Sequence, residues 1–481
     1  MLFNSLDFAI FLPIFFVLYW FVFSRNLRLQ NLLIVISSYI FYGWWDWRFL
    51  SLIVISTLID FFVGLSLKNE NSTKKRKFFL SLSIIGNLGM LGFFKYFNFF
   101  LDNFQSAFTL FGTQLNVNTL HIILPVGISF YTFQTLSYTI DVYRRKMPPS
   151  EDIISFSAYV SFFPQLVAGP IERATHFLPQ FLKERKFNYS KAVDGMRQIL
   201  WGFFKKLVIA DSAAIYANMI FNNSADYSGS TLLLGVFFFA VQIYGDFSGY
   251  SDIAIGLGKL FGFDLMRNFA NPYFSRDIAE FWRRWHISLS SWFRDYLYIP
   301  IGGNRGPIWK KIRNIFAIFV ISGFWHGANW TFIVWGALNA LFFLPLMLFK
   351  QNRKNLDVIA AGKMFPSFRE AMSIIVTFAL TLFAWIFFRS ASIGTAFAYI
   401  SGIFSTSFFS LPTLINSEML ITLFLTAIFI AIEWIGRESK YAIEHVGLSW
   451  YRPVRWAFYY SIILIIILSL GKEQAFIYFQ F

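Results

Sequence analysis

DIAEFWRRWHISLSSWFRDYLYIPIGGNRG, residues 277–306, and ISGFWHGANW, residues 321–330, are two polar-aromatic segments in a chain otherwise dominated by Phe, Ile and Leu. With Arg276 they hold His286, His326, Arg283, Arg284, Arg294, Asp295, Asn329 and five tryptophans. The 481 residues are 57% hydrophobic and 14% charged, with 65 phenylalanines. A soluble domain carries about 25% charged residues, so the composition belongs to the polytopic membrane class. Ionisable side chains are expensive in hydrocarbon, and where a membrane protein keeps them they mark function by default. The two segments are therefore the candidate site, and the remainder is the membrane scaffold around it.

Working outward, apolar runs of spanning length (about twenty residues) are expected near 6–24, 31–47, 49–66, 78–101 and 120–141. Further runs follow near 314–330, 331–349, 371–388, 418–435 and 456–470. The formal charge of +15 lies in short segments between these runs, so the positive-inside rule accounts for it and a nucleic-acid partner is excluded. Basic loops at 68–77, 144–146, 305–313 and 350–354 then fall in the cytoplasm, with both termini and the 102–120 segment outside. The N-terminus lacks a basic n-region and a cleavage site, so it is expected to be a retained first span. Phe162 to Phe181 is interrupted by Pro164, Gly169, Pro170, Glu172 and Arg173, and is expected to be re-entrant. No repeat or soluble linker divides the chain. The expectation is one membrane domain over 1–481, all-α, with about 10–12 transmembrane or re-entrant helices.

Phe281 to Tyr298 patterns as one amphipathic helix, with Trp282, Trp285, Leu289, Trp292, Phe293 and Tyr296 on one face and His286 at its border. By pattern alone it is an interfacial helix with a basic side. His326 lies 13 residues beyond Arg313, roughly 20 Å into an apolar run. It is either a satisfied structural histidine or a general base beside Trp325 and Asn329. Gly323 and Gly327 around it equally suit a small-residue packing face. His121, His176 and His445 have no metal-ligand spacing, and cysteine is absent, so no metal is expected. Asp246 and Asp252 sit among glycines in QIYGDFSGYSDIAIGLGKL, residues 242–260, where buried ion pairs with Arg267, Arg276 or Arg283 are the favoured reading. The Gly-x-Gly at 256–258 follows no strand and fails as a dinucleotide loop.

YGDFSGYSDIAIGLGKLFGF, NFANPYFSRDIAEFWRRWHISLSSWFRDYLYIPIGGNR and SGFWHGANWTFIVWGALNAL resemble the signature segments of the membrane-bound O-acyltransferase family. LPVGISFYTFQTLSYTIDVYR and FFPQLVAGPIERA resemble its bacterial, alginate O-acetyltransferase-like branch. The teichoic acid D-alanyl-transferring relatives share the Trp-His-x-Ser-Leu-Ser pattern and are the nearest competitor. The resemblance implies helices around a central tunnel in the bacterial inner membrane, surrounded by membrane lipid. His326 would be the essential histidine, as base or acyl relay, and His286 the second. Trp285, Ser290, Arg294, Asp295, Trp325, Asn329, Asp246 and Asp252 would line or support the acyl tunnel. Acetyl-coenzyme A or another acyl thioester would be the donor substrate, with no tightly bound cofactor. A polysaccharide hydroxyl would be the eventual acceptor, through a separate extracytoplasmic acyltransferase partner.

The competing class is an ion-coupled transporter or flippase, in which the same carboxylates and histidines relay ions. Such proteins pair broken helices in two similar halves, and no such pairing is present in the sequence.

Overall fold

The structure, a computed structural model, describes residues 1–110, 120, 122–471 and 474–477. His121, most of the 102–120 loop beyond the helix, and the final residues lie outside them. All regular elements among the described residues are helical. Two compact units form, Met1–Val193 with Leu257–Met266, and Asp194–Gly256 with Arg267–Phe481. Six helical runs are long and apolar enough to cross a membrane: Leu27–Leu67, Thr73–Thr109, Gly229–Leu260, Trp330–Leu348, Phe368–Arg389 and Ser417–Ile435. The protein is a multi-pass, all-α membrane protein.

In the first unit α1 (Leu6–Val17), α2 (Leu27–Asp46), α3 (Leu50–Leu67), α4 (Thr73–Leu91), α5 (Phe97–Leu110) and α6 (Ile128–Tyr143) precede three short helices. These are α7 (Ile153–Ser161), α8 (Phe163–Leu166) and α9 (Ala174–Phe181). Starts are fixed by caps: Ser5, Asn26 and Asp152 each accept backbone N–H groups that the first turn leaves unpaired. Apolar burial does not drive association between helices in lipid, so polar contacts specify it. Asp60 of α3 is buried and accepts from Asn87 Nδ2 of α4 at 2.7 Å, Thr139 Oγ1 of α6 at 2.5 Å, and the Ser83 hydroxyl. The 162–181 stretch forms α8, an irregular segment and α9, none of spanning length. Its rings Phe162, Phe177 and Phe181 pack on Phe263 at 4.6–5.7 Å, so this non-helical backbone is enclosed by protein.

The second unit begins within α10 (Tyr189–Phe203) and continues through a π-helical segment, Phe204–Ala210, and α11 (Asp211–Asn222). Then come α12 (Gly229–Leu260), α13 (Ile278–Arg284), α14 (Ile287–Phe293), a second π-helical segment (Arg294–Tyr298), α15 (Ile308–His326) and α16 (Trp330–Leu348). α17 (Phe368–Arg389), α18 (Ile393–Ile403), α19 (Ser417–Ile435) and α20 (Arg452–Leu468) complete it. The 32-residue α12 is absent from the spans expected from sequence, because its glycines and two aspartates read as interruptions. They are packing features instead. A Cβ on Gly249 would meet Gly202 O at 2.8 Å, and one on Gly256 would meet Gly195 O at 2.5 Å. The expected spans near 6–24, 120–141, 314–330 and 456–470 correspond to α1 with its π-helical continuation to Val22, α6, α15 and α20, which fall outside the six runs.

α15 and α16 form a tight hairpin. A Cβ on Gly323 would lie 2.2 Å from Phe332 O, and one on Gly336 would lie 2.4 Å from Phe319 O. Both are backbone atoms that cannot step aside, so the glycines set how closely the helices approach. Gly323→Ala is expected to separate the hairpin at the turn bearing His326. Protein yield in membranes, and the acyl transfer that the family resemblance implies, check this, with activity predicted to fall more than yield.

Candidate active site

The helix expected over 281–298 is broken at His286. α13 ends at Arg284, and His286 adopts the left-handed conformation (φ +44°, ψ +54°) before α14 begins. The neighbouring 268–270 segment takes up the freed backbone groups. Ala270 N donates to Arg284 O at 3.0 Å, and Ile287 N donates to Asn268 O at 2.9 Å. Asn268 Oδ1 accepts from Ser288 N and Ser288 Oγ at 3.3 and 3.0 Å, capping α14. Local periodicity continues through this point because the aromatic face is shared by both pieces; the break is imposed by a segment distant in pattern. Asn268 opens a segment that carries the family resemblance, but no local pattern marks it as the residue that breaks the helix.

His286 is 1% exposed, with its ring 4.6 Å from Phe247 and 6.1 Å from Trp325. Burial pushes its imidazole down to about 3, so it is neutral at physiological pH. His326 is the last residue of α15 and 4% exposed. Its ring is boxed edge-on by Trp325 at 4.9 Å, Trp335 at 5.2 Å and Phe388 at 5.2 Å. Trp325 is thus shared by both histidines. A second aromatic layer supports the box. Trp335 stacks on Trp385 at 5.8 Å, and Trp385 meets Trp285 at 5.3 Å. Trp282 meets Trp335 at 5.6 Å while its Nε1 donates to Asn339 Oδ1 at 3.2 Å.

Below this box lies a cavity of about 1470 Å³, larger than the roughly 300–1,000 Å³ of most small-ligand sites. Arg283, Arg294, Arg305, Lys311, Lys350 and Arg353 give it a basic rim. Its apolar wall includes Ile315, Phe319, Phe343 and Met347. Ser322 and Trp282 also line it. Ser322 lies one helical turn before His326, and Trp282 touches the Trp335 ring that packs on His326. The cavity therefore approaches the His326 box from the side of α15 that carries its basic start.

The other expected residues divide by role. Ser290 and Arg294 line the cavity. Asp295 pairs with Arg294 at 2.8 Å on the surface. Asn329 accepts from Thr331 N as the cap of α16 and donates to Ala391 O at 2.8 Å. Asp246 and Asp252 are buried ion-pair partners as anticipated, but of lysines that the sequence reading passed over. Asp252 pairs with Lys205 at 2.5 Å and Asp246 with Lys206 at 2.8 Å, while Arg276 and Arg283 serve elsewhere. A Lys-Lys pair inside an apolar run was itself a usable signal. Asp246 Oδ2 also accepts from Ile477 N at 2.7 Å, and Phe476 packs 6.4 Å from Phe247, the ring against His286. No cluster of three or more metal-ligating side chains exists among the described residues.

Residues 148–397 match the family model described as MBOAT, membrane-bound O-acyltransferase family. This chain belongs to the membrane-bound O-acyltransferase family. The match spans the short helices α8 and α9, both histidines and the cavity. The acyltransferase chain is 40% identical over 438 residues to "Probable alginate O-acetylase AlgI" of Azotobacter vinelandii, covering 90% of this chain and 84% of that one. It is 37% identical to the Pseudomonas putida protein of the same name, with complete coverage of both. It is 31% identical to "Peptidoglycan O-acetyltransferase" of Helicobacter pylori, over 100% of this chain and 98% of the relative.

Proposed function

We propose that this membrane-bound O-acyltransferase moves an acetyl group from acetyl-coenzyme A, held in the basic-rimmed cavity, toward hydroxyls of an extracytoplasmic polysaccharide. His326 acts as general base. The carrying observation is a large cationic cavity whose lining includes Ser322, one helical turn before His326, and Trp282, which packs on the Trp335 ring beside that histidine. A phosphate-bearing thioester suits this site, since its anionic end meets Arg and Lys side chains and its acyl end meets an apolar wall. The relatives named for acetylation of alginate and of peptidoglycan support both the acetyl group and the polymeric acceptor. Arg305, Lys350 and Arg353 on its rim belong to basic connecting segments, which supports a cytoplasmic-facing cavity in the bacterial inner membrane under the positive-inside rule.

The chemistry needs one proton relay. His326 takes the acceptor's hydroxyl proton as the oxygen attacks the thioester carbonyl. The C–S bond then breaks, and the departing thiolate recovers the proton from the imidazolium. The end of α15 suits that transient cation, because a helix C-terminus favours positive charge. The acceptor hydroxyl presented to His326 leads to the polymer through a separate extracytoplasmic transferase.

The test is acetyl transfer from labelled acetyl-coenzyme A by membranes matched for protein level. Wild-type protein is expected to consume the thioester without an ion gradient. The Lys350→Ala, Arg353→Ala double variant is expected to raise KM for the donor about tenfold with kcat near normal. Ion-coupled uptake into sealed vesicles without thioester turnover would instead support a transporter.

A further inference from the structure

Arg276 and Arg284 form a charge network around the buried Glu280 carboxylate, outside the aromatic box. Glu280, on α13, is 1% exposed. Its Oε2 accepts from Arg276 N at 2.8 Å and Arg276 Nε at 3.0 Å. Its Oε1 accepts from Arg276 Nη2 at 3.0 Å and from Arg284 Nε and Nη2 at 3.0 and 2.8 Å. One carboxylate thus aligns two guanidinium groups. Both then donate to the same backbone oxygen, Asp357 O, at 3.0 and 2.9 Å, and Arg276 Nη2 also reaches Asp357 Oδ1 at 2.9 Å.

The other arginine of α13 holds the same segment from further along. Arg283 donates to Asn352 O at 2.8 Å and Asn355 O at 2.6 Å, and Asn355 Nδ2 donates to Asp277 Oδ2 at 2.7 Å. Residues 351–357 contain no helix, so their backbone carbonyls depend on such outside donors. This segment and the residue before it supply Lys350, Asn352, Arg353 and Leu356 to the cavity wall. Without a central anion, Arg276 and Arg284 would repel each other at the point where they converge on Asp357 O.

We propose that Glu280 is a positioning residue for donor binding: it aligns Arg276 and Arg284 so that the 350–357 segment is fastened to α13 with Lys350 and Arg353 facing the cavity. This rests on the cavity being the donor site. Glu280 touches no reacting atom; it acts through the two arginines and the strap they hold. Losing its charge therefore loosens the binding wall and leaves the His326 box unchanged.

Glu280→Gln keeps the shape and one acceptor oxygen but removes the charge. It is expected to raise KM for acetyl-coenzyme A about tenfold while kcat stays within about threefold. Backbone amides of 350–357 should exchange faster with solvent, while those of the α15–α16 hairpin stay protected. Glu280→Asp, which restores the charge on a shorter arm, should recover part of the KM. Arg284→Gln, which removes one arm only, should shift both readouts in the same direction by less. An unchanged KM and unchanged exchange in Glu280→Gln would overturn the proposal. So would failure of both Glu280→Gln and Arg284→Gln to accumulate, since the network would then serve folding. Wild-type protein that never uses acetyl-coenzyme A would sink the donor-site reading itself, a result separable from either.

Discussion

His326→Ala is expected to abolish acetyl transfer while the protein remains inserted and abundant. A positioned general base contributes about a hundredfold to ten-thousandfold in rate, so loss of the imidazole should leave transfer near background. His326→Gln is the sharper variant. It fills more of the space between Trp325, Trp335 and Phe388, and it keeps hydrogen-bonding capacity without basicity. Equal losses from Ala and Gln would assign the defect to proton transfer. A large loss from Ala with near-normal transfer by Gln would make the residue a packing element of the aromatic box. The surrounding rings are carried by three helices, α15, α16 and α17, so the box should survive either change. The measurement is labelled acetyl transfer per unit of membrane-inserted protein, and normal transfer by His326→Ala would remove the mechanism proposed for this site.

The parts of this site legible in the sequence are those that obey composition and depth. His326 stands out because a histidine well inside an apolar run has few neutral explanations. The spanning helices with clean apolar runs were also readable, as at α2, α3, α16, α17 and α19. α12 was hidden by the same glycines that let it approach α10, since single-sequence patterning cannot distinguish a glycine that breaks a helix from one that packs it. The break at His286 was hidden for the opposite reason. Trp282, Trp285, Leu289 and Trp292 keep helical spacing across it, and the deciding hydrogen bonds come from Asn268 and Ala270. Lys350 and Arg353 were read only as topology markers, because nothing in their local sequence shows that α13 draws them to a cavity wall.

The His286 position separates two roles that a single alanine variant would confound. Its backbone is left-handed, a conformation costing roughly 1–2 kcal/mol for most residues and least for Gly and Asn. Its ring, meanwhile, sits between Phe247 and Trp325 in the layer shared with His326. His286→Asn and His286→Gly are therefore expected to preserve the α13–α14 break and protein abundance, while His286→Val, β-branched, should strain the turn and lower yield. If the imidazole shapes the path toward His326, both tolerated variants should lose transfer by about tenfold or more despite normal yield, with His326 itself intact. If only the turn matters, transfer should follow yield: near normal for Asn and Gly, low for Val. Activity per inserted molecule across these three substitutions distinguishes the outcomes. Normal specific activity in His286→Gly would return His286 to a backbone role and leave His326 as the one histidine the chemistry needs.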